Sequence, residues 1–98
     1  MAPHSELAAR ILAAAPPFPL KEAHWRKVVE TMGLSSQQAR ITELMLRDLS
    51  DKQIALVLRI SESTVETHKI RIRYRTGARG RMQLAMQVLS ISHQVRDP

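Results

Sequence analysis

A chain of 98 residues supports one modest core, which excludes a catalytic cleft between lobes, and its lack of cysteine excludes a disulfide scaffold or thiolate metal site. Three aromatics and three glycines disfavour a base-stacking platform and a turn-rich β architecture, so an all-α fold is expected. The net charge is +6, and the segment Glu66 to Arg81 alone holds six basic residues against one acid, the electrostatic footprint of a phosphate backbone; a solvated basic face is the bland alternative.

Ser5 is placed to cap a first helix through about Ala15, with Leu7 and Ile11 at i, i+4, until Pro16, Pro17 and Pro19 stop it. At about 11 residues such a helix is marginal alone in water and must pack on something. This start lacks the basic opening and long apolar middle of a secretory signal, and no apolar stretch approaches the about 20 residues that cross a bilayer. A soluble, cytoplasmic protein without membrane contact is expected. A second helix, Lys21 to Met32, sets Trp25, Val28, Val29 and Met32 on one side and ends at Gly33. Ser35 or Ser36 caps a third, in which Ile41, Leu44, Met45 and Leu49 recur at helical spacing until Asp48-Leu49-Ser50 interrupts. Ser50 then caps a short fourth helix, Asp51 to about Leu58, with Ile54, Ala55 and Leu58 facing inward. Ser61 caps the fifth, which runs to about Thr76 and closes at Gly77. A sixth, from about Arg81 to Ile91, leaves Ser92 to Pro98 as a loose tail.

The fourth and fifth helices, joined by a short turn and running into the densest positive charge, read as a helix-turn-helix offered to nucleic acid. At 100° per residue, Val65, His68, Ile72 and Thr76 share the stripe that must face the domain. Ser63, Thr67, Ile70 and Tyr74 lie opposite, flanked by Glu66 and Arg71. Base contacts are therefore expected from Ser63, Glu66, Thr67, Ile70 and Arg71: Thr67 can exchange hydrogen bonds at base edges, Ile70 can pack on a thymine methyl, and Arg71 can bond guanine bidentately. Glu66 can accept from cytosine N4 at a cost in affinity, or can instead pair with Lys69 or Arg73 on a solvated face. Phosphate contacts are expected from Ser50, Lys52 and Thr64 at helix starts, and from Lys69, Arg73, Tyr74, Arg75, Arg79 and Arg81. Lys69 sits close to the core stripe and would have to snorkel.

These residues resemble the LuxR/GerE-type helix-turn-helix domain of bacterial transcription regulators. Leu34-Ser35, the run Leu49 to Ala55, the run Ile60 to His68, Arg71-Ile72 and the run Thr76 to Arg81 carry the likeness in order and spacing. It covers about Leu34 to Leu89. It implies a four-helix domain whose third helix lies in the major groove and whose last commonly mediates dimerisation. The expected organisation is an N-terminal helical extension over 1–33, the LuxR-type domain over 34–92 and a tail over 93–98. Asp48 and Arg59 stand where the family usually has Gly, near helix ends where a positive φ is often needed. Lys69 replaces a usual apolar residue, and Glu66 a frequently basic one.

In the sixth helix Met82, Ala85, Met86 and Leu89 form one apolar face and Leu84, Val88 and Ile91 another. One can close the core; the other, read as a dimer interface through Met82, Met86 and Leu89, needs a second copy or the N-terminal helices to cover it. The expected partners are double-stranded DNA and a second copy, with RNA polymerase a further one. If Met1 is the natural start, regulation runs through abundance, assembly or residues 1–33; if the chain is a fragment, its signal input lies elsewhere. No enzymatic activity, cofactor, metal or small-molecule ligand is expected, because His4, His24, His68 and His93 lack ligand spacing, no triad is placed and no Gly-rich phosphate loop is present. His68 is expected as a satisfied, partly buried histidine. Two alternatives remain: a sigma-factor-like promoter-reading module, and a protein-interaction adaptor that reuses the fold without specific DNA readout.

Overall fold

The computed structural model describes residues 3–95, and within them the chain forms six helices and no strand. These are α1 (Pro3–Ala14), α2 (Glu22–Met32), α3 (Ser36–Leu46), α4 (Asp51–Leu58), α5 (Glu62–Thr76) and α6 (Arg81–Gln94). Serines start three of them. Ser35, Ser50 and Ser61 take an extended backbone and each accepts the N–H three residues on, while Gln38 and Gln53 return a bond to their own cap, satisfying two orphan donors reciprocally.

The helix ends are equally local. After α2 and α3 the chain turns through a left-handed residue, Gly33 (φ 69°) and Asp48 (φ 68°). The next N–H, of Leu34 or Leu49, reaches back to Val29 or Leu44, the 6→1 bond of a Schellman end. Arg59 (φ 59°) ends α4 in a related way, its N–H and that of Ile60 both bonding Ala55 O. Each left-handed turn throws the following apolar residue inward: Leu34 and Leu49 are buried and Ile60 packs against the core.

Two boundaries differ from expectation. α1 begins at Pro3, whose fixed φ suits a first helical position, so Ser5 lies inside the helix and does not cap it. α6 continues past the expected end at Ile91 through Ser92, His93 and Gln94. Tertiary contact extends it: His24 Nε2 donates to Ser92 O at 2.9 Å, Ser92 is buried, and Val95 packs on the core. Residues 96–98 of the expected tail lie outside the described residues.

The core gathers where α2 to α6 converge, with Val28, Ile41, Leu44, Ile54 and Val65 fully buried. Phe18 meets the edge of Trp25, ring centroids 4.9 Å apart, and closes the end below α2. α2 packs on α6, and α1 packs on α4. α1 adds only the partly buried Ile11 and Leu12 and is pinned at both ends by side chains. His4 Nε2 donates to Leu56 O, and Arg47 donates from Nε to Pro16 O (2.8 Å) and from Nη2 to Leu12 O (2.7 Å), taking carbonyls that a helix end leaves unpaired.

Arg59 carries a side chain in a conformation that glycine adopts freely. Arg59→Gly is expected to stabilise the protein by about 0.5–1 kcal/mol, read as a rise of a few degrees in Tm. An unchanged or lower Tm would mean that the arginine side chain offsets its backbone strain.

Candidate nucleic-acid interface

α5 buries Val65 and Ile72 and half-buries His68 and Thr76, the four positions of the inner stripe. Its opposite side is bare: Ser63, Glu66, Thr67, Ile70, Arg71 and Tyr74 are all exposed, Ile70 by 44% and Tyr74 by 87%. Among the described residues Glu66 makes no ion pair, with Lys69, Arg73 or any other cation. Thr67 donates its hydroxyl to Ser63 O at 3.0 Å, which leaves its oxygen to accept from outside.

Two flanks border this face. On one side Arg71, Tyr74 and Arg75 share a groove with Gln38 of α3, a residue not singled out from the sequence. Arg75 passes over Gly33, where an added methyl group would be in ordinary van der Waals contact with its guanidinium. On the other side Arg73 and Arg79 are exposed at the rim of a recess of about 170 Å³ shared with Lys69, Gly80 and Arg81. At the helix starts, the Ser50 hydroxyl accepts from Gln53 N–H (3.2 Å) beside the exposed Lys52, and Ser61 Oγ lies 3.0 Å from Ser63 Oγ and 2.8 Å from Thr64 Oγ1.

Three side chains are placed differently from expectation. Arg81 is turned inward: Nη1 donates to Met45 O at 2.7 Å and Nη2 to Leu49 O at 2.5 Å, so its guanidinium closes the end of α3. The planar fork of arginine suits two carbonyls at once. Lys69 is likewise engaged. Its Nζ donates to both carboxylate oxygens of Asp51, at 2.9 and 3.1 Å, across the helix pair. A lysine near a core stripe requires an anion or solvent, and Asp51 at the first position of α4 was readable only as a helix-start acid. The His68 ring is half-buried as expected, but its buried Nδ1 has no hydrogen-bond partner among the described residues.

The far end of α5 is secured by α6. Gln87 Nε2 donates to Thr76 O at 2.7 Å, an anchoring role that α6's own pattern did not announce. On α6 the Leu84 and Val88 face is buried, and Ile91 is partly so. Met82, Met86 and Leu89 stand 75%, 59% and 55% exposed, uncovered by α1 or α2.

A family model described as bacterial regulatory proteins, luxR family, matches residues 32–88, more than half of the chain. Neither the curated proteins nor the solved structures contain a match.

Because Arg81 serves two buried-side carbonyls, its loss should appear as instability. Arg81→Ala is expected to cost about 2–3 kcal/mol in chemical unfolding, the range for charge-assisted hydrogen bonds. A stable variant that simply binds polyanions less well would restore Arg81 to the phosphate set.

Proposed function

The chain belongs to the luxR family of bacterial regulatory proteins, whose domain binds DNA in transcription regulation, and from that premise we propose that it reads a specific duplex sequence as a homodimer, with α5 in the major groove. The observation that carries this is the division of α5 into a narrow buried stripe and a broad open face bordered by cations. Ser63, Glu66, Thr67, Ile70 and Arg71 are the base-reading set, in a cytoplasmic protein with access to the chromosome. Ser50, Lys52, Thr64, Arg73, Tyr74, Arg75 and Arg79 hold the flanking phosphates.

Glu66 supports a specificity role more than an affinity role. Unpaired beside Ile70, it would repel a backbone and reward a cytosine amino group. Met82, Met86 and Leu89 support pairing with a second copy. Three large apolar side chains on one helix face, left open by every other element, are the kind of patch that a two-fold interface buries. Such pairing would set two recognition helices on half-sites about one DNA turn apart.

Selection from a random duplex library should enrich a two-fold site. Arg71→Ala and Thr67→Ala should weaken binding to it, Arg71→Ala by about 1–3 kcal/mol with relaxed preference at one position. Failure to enrich any site, with both variants binding as the parent does, would leave the adaptor alternative standing. Glu66→Ala should tighten binding to unrelated duplex while reducing discrimination at one base pair; equal losses on all sequences would remove its assigned role. Met86→Glu should convert a dimer to a monomer in sedimentation and lower affinity for the paired site far more than for a single half-site. A variant that stays dimeric would exclude this face of α6.

A further inference from the structure

Asp51 is subject to two opposed demands. As the first residue of α4 it places a negative charge at the positive end of the helix dipole, which favours the helix. The same end carries the Ser50 cap and Lys52, the pair that would receive a phosphate, and a carboxylate there repels that phosphate. Lys69 lies where both can be met. It reaches out of α5 from the edge of the buried stripe and bonds both Asp51 oxygens at 2.9 and 3.1 Å. The two side chains are 24% and 30% exposed, so the pair is shielded enough to persist and open enough to be felt at the surface.

Resting on the DNA-binding function above, we propose that Lys69 is a positioning residue that acts through Asp51. It masks the carboxylate at the α4 start and sets α4 against α5, without itself touching the nucleic acid. The helix pair thereby keeps an acidic helix start and still presents a cationic edge to phosphate. Three observations point the same way: the two-oxygen geometry, the partial burial of both partners, and the location of Asp51 between Ser50 and Lys52. Arg73 and Arg79, exposed along the adjoining recess, remain the cations free to meet the backbone there.

The test is a charge cycle on the full chain, using the duplex recovered by selection and fluorescence anisotropy at fixed salt. Lys69→Met should weaken binding about three- to tenfold, the effect of one uncompensated surface charge beside a phosphate. Adding Asp51→Asn to that variant should return affinity to within about twofold of the parent, since no bare carboxylate remains. A double variant as weak as Lys69→Met would overturn the proposal and make Lys69 a direct phosphate contact. Unchanged binding by Lys69→Met would overturn it also. Circular dichroism should show both variants folded, with melting shifted by less than about 4 °C, as expected for a part-exposed pair. Silence of the parent chain on every duplex is a separate result: it removes the DNA function itself, whereas a binding parent with an unrecovered double variant removes only the role of Lys69.

Discussion

Of the fifteen residues of α5, only Val65 and Ile72 are buried, and the interface depends on the narrowness of that attachment. A helix held along a wide stripe would lose its polar side to packing. Here Val65 and Ile72 join the core cluster while Ser63, Glu66, Thr67, Ile70, Arg71 and Tyr74 stay exposed. So narrow a seam has to be reinforced at its margins. The reinforcement is polar and placed at the ends and the edge: Ser61 at the start, Gln87 on the last carbonyl, and the Lys69–Asp51 pair alongside. α5 is thus oriented by a small apolar contact and by the directional bonds from Gln87 and to Asp51.

Charge density in the sequence overstates the charge available to a partner. The six basic residues between Glu66 and Arg81 divide once folded. Arg81 closes α3 and Lys69 answers Asp51, while Arg71, Arg73, Arg75 and Arg79 stay exposed. Arginine at a helix end has a physical alternative to phosphate, because unpaired carbonyls there are equally good acceptors for its fork. Arg47 shows the same use at the end of α1.

The N-terminal helices play unequal parts. α2 brings Trp25, Val28 and Met32 into the core and, through His24, lengthens α6 beyond its own apolar pattern. α1 rests on α4 by side-chain bonds at its two ends and modest apolar contact between. Neither reaches Met82, Met86 or Leu89, so the extension completes the domain without closing the last helix's outer face.

The sequence by itself determined the six helices, the serine caps of α3, α4 and α5, the end of α2 at Gly33, and the division of α5 into inner and outer sides. All of these follow from interactions within a few residues, which spacing and residue type encode directly: a hydroxyl three residues before an amide, an apolar side chain every third or fourth position. The α6 pattern likewise showed two apolar faces, and only packing could say that Leu84 and Val88 turn inward while Met82, Met86 and Leu89 do not. The tertiary structure alone decided the partners of long polar side chains. Arg81 finds Met45 and Leu49 more than thirty residues away, Lys69 finds Asp51 eighteen residues away, and His24 finds Ser92 across the chain. A lysine or arginine carries its charge several ångströms from its backbone and takes whichever acceptor the fold brings within reach, and no local pattern records that choice.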